Sequence, residues 1–163
     1  MNLVKTLVAA CVLALLSACA NGTTTVIAPP GQQTARPTFQ TFQISQGEHS
    51  VAFDADQIAL FERELRTRLA APGGFQEGDG LMVRFRVVQY ERGSQALRYI
   101  VGFGAGRGSL TIEVVYLDSA GAELARINVG GDISVGLFGG GFGEATTRAA
   151  QEAADYAREH FRS

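Results

Sequence analysis

The residues of this chain best suited to covalent chemistry are its two cysteines, Cys11 and Cys19, which both lie near the amino terminus. A thiol can form a disulfide, bind a metal or carry an attached group. Cys19 ends the run Leu16-Ser17-Ala18-Cys19, in which small residues precede the thiol directly after an apolar stretch. This order indicates a thiol at a processing site rather than one inside a folded core.

The first 18 residues have the three parts of a secretory signal peptide. The amino terminus and Lys5 supply positive charge, Leu7 to Leu16 form an apolar middle, and small residues come before the cut. The apolar stretch is shorter than the about 20 residues that a membrane-spanning helix needs. We therefore predict that residues 1–18 are a signal peptide.

The ending Leu-Ser-Ala-Cys resembles the lipobox of bacterial lipoproteins. In those proteins a peptidase cuts before the cysteine once its thiol carries diacylglycerol, and the new amino terminus is then acylated, for example with palmitate. The resemblance implies that Cys19 is the lipid attachment residue. In an ordinary secreted protein, Cys19 would instead be a lone thiol in an oxidising compartment. The run Val8-Ala9-Ala10-Cys11 is also similar to a lipobox, but cutting there would leave only a few apolar residues before it.

The residues after Cys19 bear on where such a lipoprotein would go. Ala20 and Asn21 follow the cysteine, so no aspartate stands directly after it. This resembles the sorting pattern by which some Gram-negative bacteria send lipoproteins to the outer membrane. In a Gram-negative envelope, the resemblance implies a protein anchored in the outer membrane and facing the periplasm.

The charge of the mature chain bears on which partners it can bind. Lys5 is the only lysine, so the chain from Cys19 onward carries 13 arginines against 16 acidic residues. The charges nearly balance, and the sequence has no basic cluster of the kind that binds nucleic acid or anionic lipid. We expect no nucleic acid partner, and a hold on the membrane only through the lipid at Cys19.

The remaining polar residues form no catalytic constellation. His49 and His160, the two histidines, are far apart in the sequence. Acidic residues near His49 could form an oxygen-rich metal site, but their spacing matches no calcium loop. Ser94 and Ser134 lack a G-x-S-x-G context. We therefore predict a protein that is not an enzyme and has no cofactor and no metal. The acidic residues considered for a metal site with His49 are Glu48, Asp54 and Asp56.

Residues 20–38 have the composition of a flexible tether. They include Thr-Thr-Thr, Pro-Pro-Gly, Gln-Gln and Arg-Pro, with little to bury and several breakers. As a coil, 19 residues would reach about 25 Å root-mean-square. We therefore predict that residues 19–38 are a lipidated amino terminus and a tether, and that residues 39–163 form a single domain.

Within residues 39–163 the apolar periodicity predicts four strands and two helices. Strands are expected over 39–45, 81–87, 110–114 and 122–129, where apolar and polar residues alternate. A turn is expected at Asp118 to Gly121. A first helix begins at an Asp54 cap with Gln57 at capping-box spacing, or alternatively at an Asp56 cap, and ends at Pro72. A second helix spans about 144–161. The apolar face of the first helix comprises Ile58, Phe61, Leu65 and Leu69.

This order, β-α-β-β-β-α, predicts an α+β fold. The simplest arrangement is a four-stranded, mostly antiparallel sheet with two helices packed against it. A right-handed crossover places the first two strands parallel. The loops 46–55, 91–108 and 130–143 then all emerge at one end of the sheet.

Two of those loops are unusually rich in glycine. They match neither G-x-G-x-x-G nor a P-loop, so we expect no nucleotide partner. Gly102, Gly104, Gly106 and Gly108 would share one strand face, onto which a helix or a ring could pack closely. Flexible turns are the plainer alternative. The loops also carry apolar residues, which either contact a partner or fold onto the core. The candidate partner contacts are Tyr99, Ile100, Phe103, Leu137, Phe138 and Phe142.

The run Gly102-Phe103-Gly104-Ala105-Gly106-Arg107-Gly108, followed by a strand, a turn and a second Gly-Phe-Gly run, resembles a family of bacterial lipoproteins with a glycine-rich domain of unknown function. That family brings no reaction, cofactor or established partner. Two hypotheses of function follow from the sequence. The first is a non-enzymatic, membrane-anchored envelope lipoprotein that acts as a protein-interaction or structural module. The second is a carrier or binder of lipid or another small apolar ligand.

Overall fold

The computed structural model describes residues 24–28, 37–91, 108–133 and 141–162. The predicted signal peptide and Cys19 lie outside these ranges. The described residues form an α+β fold with two helices, as predicted from the periodicity. In chain order the elements are β1 (Thr25–Ala28), β2 (Thr41–Gln46), α1 (Ala55–Leu69), β3 (Gln76–Glu77), β4 (Leu81–Glu91), β5 (Gly108–Leu117), β6 (Glu123–Ile133) and α2 (Phe142–Phe161).

The strands form one mixed sheet in the order β1-β6-β5-β4-β2-β3. β4, β5, β6 and β1 pair antiparallel in turn, whereas β2 is parallel to both β4 and β3. The parallel pair β2 and β4 is the one expected from the crossover through α1. The predicted number of four strands was wrong, because the sheet has six.

The two strands that the periodicity does not predict are both short edge strands. β3 has only two residues, and it is held by the hydrogen bonds that the N–H groups of Gln76 and Gly78 donate to the carbonyl oxygens of Gln40 and Phe42, each 2.9 Å. A strand of this length shows no period. β1 lies inside the segment predicted as a tether, so Thr25–Ala28 is a strand rather than a flexible coil. Its pairing with β6 joins residues about a hundred positions apart, which no local pattern reveals.

Helix α1 begins and packs as its sequence predicts. The Asp54 side chain accepts a hydrogen bond from the Asp56 N–H at 2.8 Å, which satisfies one of the free donors of the first turn. Phe61, Leu65 and Leu69 are fully buried, and Ile58 packs at the border of the core. This apolar face turns toward the sheet, while the arginines and glutamates of the helix face outward.

The hydrophobic core lies between the two helices and one face of the sheet. The Phe61 ring of α1 lies 4.8 Å from the Phe85 ring of β4, centroid to centroid. Tyr116 of β5 donates a hydrogen bond of 2.7 Å to the Ala153 carbonyl oxygen of α2. The alanines of α2 are small enough to let the helix lie close to its neighbours. The fully buried ones are Ala149, Ala150, Ala153, Ala154 and Ala157.

The chain direction brings several segments to one end of the fold, which we call the loop end. It consists of residues 47–54, Glu91 at the end of β4, Gly108 at the start of β5, Ile133 at the end of β6, and Phe142 at the start of α2. Both helices begin there. At the opposite end the turn from Asp118 to Gly121 joins β5 to β6, as predicted, and Phe39 donates its N–H to the Phe161 carbonyl oxygen.

Candidate interaction site

Three aromatic side chains meet at the loop end. The Phe53 ring lies 4.7 Å from the Tyr90 ring at an interplanar angle of 77°, and the Tyr90 ring lies 5.2 Å from the Phe142 ring at 66°. Such edge-to-face pairs are favourable beyond the area they bury. All three rings are half-buried and pack against the core. We call these three residues the aromatic cluster.

The aromatic cluster contains one of the six residues predicted to contact a partner. Phe142 is the first residue of α2, and its ring is only partly covered. Phe53 and Tyr90 were not predicted, although Tyr90 is the last aromatic residue before the first glycine-rich segment. The other predicted contacts lie outside the described residues. They are Tyr99, Ile100, Phe103, Leu137 and Phe138.

A strap of residues 47–50 holds the loop end against β4. The N–H of Gly47 donates to the Phe85 carbonyl oxygen at 2.8 Å, and the N–H of Ser50 donates to the Val87 carbonyl oxygen at 2.9 Å. The Val87 N–H in turn donates to Nδ1 of His49 at 3.0 Å. The side chain of His49 therefore takes the place of a backbone acceptor beside the irregular part of β4, where the register shifts between Val87 and Gln89.

The hydrogen bonds of His49 assign its tautomer. Because Nδ1 accepts from a backbone N–H, it carries no proton, and the neutral ring must have its proton on Nε2. Nε2 lies 2.7 Å from the amide nitrogen of Gln46. Because a protonated Nε2 donates, the Gln46 amide must turn over so that its oxygen accepts. His49 thus links the end of β2 to β4.

The first turns of the two helices are joined beneath the aromatic cluster. The buried hydroxyl of Thr146 in α2 lies 3.0 Å from Oε1 of Gln57 in α1 and 2.8 Å from the carbonyl oxygen of Phe142. Either oxygen can accept its hydrogen. Gln57 was predicted to complete the α1 capping box, but it reaches across to α2 instead. This link fixes the position from which Phe142 projects.

The glycines in and near the loop end differ in how closely they are packed. A Cβ on Gly130 would collide with the Leu110 carbonyl oxygen, and the φ angle of Gly130 is +116°. Gly108 is buried on the helix-covered face beside Leu110, as the predicted parity requires. A Cβ on Gly143 would meet only Cδ2 of Leu60 at an ordinary 3.7 Å. Close backbone packing therefore explains Gly130 and not Gly143. Gly102, Gly104 and Gly106 lie outside the described residues.

The sheet face opposite the helices carries an ion-pair cluster that the sequence analysis did not find. Glu113 of β5 accepts hydrogen bonds from Nε of Arg86 at 2.7 Å and from Nη1 of Arg126 at 3.0 Å, and Arg126 also pairs with Glu123. Burial acts to raise the pKa of Glu113, but these two arginines outweigh it and lower the pKa. The hydrogen bond from Arg126 likewise lowers the pKa of Glu123.

Neither a metal cluster nor a membrane-spanning helix occurs in the described part of the chain. Within residues 24–28, 37–91, 108–133 and 141–162, no three His, Cys, Asp or Glu side chains are placed to hold a metal ion. Among the helices of the same ranges, none is both long and apolar enough to cross a bilayer. Of the residues considered for a metal site from the sequence, Asp54 caps α1 with its carboxylate. The two ring nitrogens of His49 contact the Gln46 amide and the Val87 N–H.

The fold and the loop end define a small α+β protein whose two helices cover one face of a mixed sheet. Residues 46–136 match the family described as a domain of unknown function, DUF4410, and the chain belongs to that family. No curated protein matches the sequence.

Two solved structures of PelC from Paraburkholderia phytofirmans share the fold. One PelC dodecamer is 10% identical to this chain with a TM-score of 0.54, and a dodecamer of a leucine-to-methionine variant is 11% identical with a TM-score of 0.53. Each match covers 87% of this chain and 99% of PelC. At these identities the likeness concerns the fold alone.

Proposed function

We propose that this protein is a non-enzymatic lipoprotein of the bacterial envelope, anchored by lipid at Cys19 and acting as a protein-interaction or structural module at the periplasmic face of the outer membrane. The observation that carries the interaction role is the partly exposed aromatic cluster of Phe53, Tyr90 and Phe142. In the sequence, Tyr90 precedes the first glycine-rich segment and Phe142 follows most of the second. The anchor rests on the resemblance of Leu16-Ser17-Ala18-Cys19 to a lipobox.

The position of β1 keeps such an anchor close to the folded domain. Thr24 follows Cys19 by five residues, and its hydroxyl donates a hydrogen bond of 3.2 Å to Glu152 of α2. Five residues span at most about 18 Å when fully extended. With β1 paired to β6, a lipid on Cys19 therefore holds this edge of the sheet near the membrane surface.

The packing of the described core favours an interaction module over a carrier. A carrier needs a cavity of about 300 Å³ or more, and such a cavity would have to open between helices and sheet. In the described ranges that layer is occupied by Phe61 and Phe85 in ring contact and by the close-lying alanines of α2. The second candidate, a binder of lipid or a small apolar ligand, would have to use the glycine-rich segments instead.

The fold neighbours suggest one form that the interaction could take. Both PelC structures are described as dodecamers. We include self-association of several copies in the proposed structural role. This step is by analogy of fold.

Photocrosslinking in cells tests the interaction role. A photoreactive residue replaces Phe103 or Phe138, and a matched control places it at the exposed Ala59 of α1. We expect a discrete protein adduct from Phe103 or Phe138 and none from Ala59. Recovery of lipid from Phe103 or Phe138 would instead support the carrier. Equal labelling at all three positions would contradict a dedicated contact surface.

Substitution of the proposed anchor tests localisation separately. Intact-mass analysis of the native protein should show cleavage before Cys19 and attached lipid. Cys19→Ser should leave the protein outside the membrane fraction, because the lipid is its proposed hold on the membrane. A Cys19→Ser protein that still sediments with membranes would overturn the anchor.

A further inference from the structure

Both outer strands of the sheet have a side without a strand partner in the described ranges. β1 pairs with β6 alone. At the other edge, β3 covers β2 only at Thr41 and Phe42, so the stretch Gln43–Gln46 has a strand on one side only, namely β4. Each open stretch is four residues long. An open edge presents a row of unpaired N–H and C=O groups that can pair with another strand.

The composition of these edges does not protect them from pairing. Natural edge strands are commonly blocked by charged residues or proline, and some are short or bulged. β1 has four residues and a register shift between Val26 and Ala28, so Thr25 and Val26 are its regularly paired part. Neither Thr25–Ala28 nor Gln43–Gln46 contains either, whereas the inner strands carry charges such as Arg84, Glu113 and Arg126. In β1, Val26 and Ile27 are 45% and 49% exposed. The edges are thus uncharged, and β1 offers apolar surface.

The directions of the two edges are complementary. The antiparallel steps from β4 through β5 and β6 make β1 antiparallel to β4, and β2 is parallel to β4. Two copies placed side by side in the same orientation would therefore bring β1 of one against β2 of the next as an antiparallel pair. Their helices would lie on the same side of a continuous sheet.

We propose, building on the structural role above, that the chain binds a second copy of itself head to tail through β1 and the Gln43–Gln46 edge of β2. Val26 is in register with the core residue Ile127, and Ile44 is in register with Val83. Both side chains therefore lie toward the helix-covered face, where they would meet across the junction. A contact of this kind uses two different surfaces, so it extends into a ring or a filament rather than stopping at a pair.

Disulfide trapping in cells tests the geometry with the full chain. With Val26 opposite Ile44, Thr25 lies opposite Ser45, and the pairing ends at Ile27 opposite Gln43, before the part of β2 that β3 covers. Cα atoms across an antiparallel pair are about 4.5–5.5 Å apart, which suits a disulfide. The double variants Val26→Cys with Ile44→Cys and Thr25→Cys with Ser45→Cys should each give a ladder of multiples on a non-reducing gel. Each single variant is the control and should give none.

The outcomes separate the possible contacts. Dimers from Val26→Cys or Thr25→Cys alone would mean that two β1 strands pair about a two-fold axis, which overturns the head-to-tail contact. The absence of a ladder from both double variants, when circular dichroism reports folded protein, would also overturn it. A protein adduct from Phe103 in the photocrosslinking experiment would still support the interaction role, so the two proposals can fail independently.

A charge on the edge provides a second, independent measurement. Ile27→Lys should convert the assembly to a monomer by light scattering, because a lysine on an edge strand opposes pairing. Ala59→Lys adds the same charge on the outer side of α1 and should leave the assembly unchanged. If Ile27→Lys and Ala59→Lys have the same mass as the unmodified protein, the edge does not mediate assembly.

Discussion

The two faces of β5 bury their side chains by different means. On the helix-covered face, Leu110, Ile112 and Val114 are fully buried under α1 and α2. On the opposite face no helix of the described residues covers the strand, yet Val115 and Glu113 are each only 8% exposed. One face is sealed by a second layer of structure, and the other only by side chains of neighbouring strands.

Register explains how the uncovered face becomes buried. Val115 lies between Arg84 of β4 and Arg126 of β6. The apolar stems of arginines can cover such a residue while their charged ends remain in water. Glu113 holds Arg86 and Arg126 in place by accepting from both. The comparison predicts that apolar contacts dominate the stability of one face and electrostatics that of the other.

The largest effect is expected from removing a ring on the helix-covered face. Phe61→Ala would leave a cavity beside Phe85 and should lower the free energy of unfolding by about 3–5 kcal/mol. Urea denaturation measures this change. Met82→Ala, on the opposite face and half-buried, is the control and should cost less than half as much. Equal costs would mean that both faces depend on apolar packing alike.

Two glycines extend the comparison to the backbone. Gly130→Ala, in β6, forces a positive φ on alanine and a collision with the Leu110 carbonyl, so we expect a loss of about 2–3 kcal/mol in the free energy of unfolding. Gly143→Ala, in α2, makes only an ordinary contact with Leu60 and removes a weak helix former, so we expect a gain of about 0.5–1 kcal/mol. Thermal unfolding of both variants distinguishes these signs. Similar losses would show that the loop end is packed more tightly around Gly143 than its neighbours indicate.

The local features of the fold could be predicted from the sequence, but its edges could not. The Asp54 cap, the buried face of α1 and the Asp118 turn depend on residues a few positions apart, so periodicity and turn chemistry indicate them. β1 and β3 exist because of partners elsewhere in the chain. Their own residues are few, and Gln76 and Glu77 are exposed on both sides.

The candidate site was predictable only in part for a similar reason. Phe142 stood out because it lies within a glycine-rich run, but its packing against Tyr90 depends on where β4 ends relative to α2. The burial of Glu113 also could not be predicted from the sequence. Alternation along β5 places this residue on the polar face and predicts exposure, whereas cross-strand arginines bury it.

Tyr116 makes the helix-covered face sensitive to high pH. Burial, and then the neighbouring phenol of Tyr156, raises the pKa of Tyr116 well above its ordinary value of 10.0. The folded state therefore keeps a proton that the unfolded chain releases, so stability is fully present below pH 10 and falls above it. The loss grows with each further rise in pH until the folded state releases the same proton.

The Tyr116→Phe variant isolates this effect. At pH 7 it should cost about 1 kcal/mol through the lost hydrogen bond to Ala153. Between pH 10 and 11 its free energy of unfolding should fall less steeply than that of the unmodified protein, and the two curves should approach or cross. Parallel curves over that range would show that Tyr116 does not titrate with unfolding.

A modest effect is expected on the opposite face, at low rather than high pH. The arginines around Glu113 lower its pKa from the ordinary value of 4.5. Its contribution is therefore present above about pH 4.5 and is lost as the pH falls through the lower pKa of the folded state.

Glu113→Gln should cost about 1 kcal/mol at pH 7, a modest value because Arg86 and Arg126 are 41% and 31% exposed. Urea midpoints from pH 3 to 7 should decline less steeply in Glu113→Gln than in the unmodified protein. Glu123→Gln is the matched control, since it pairs with Arg126 alone at a more exposed position and should change the slope less. If Glu123→Gln flattened the acid limb as much as Glu113→Gln, the stability of this face would come from its total charge rather than from the two hydrogen bonds that converge on Glu113.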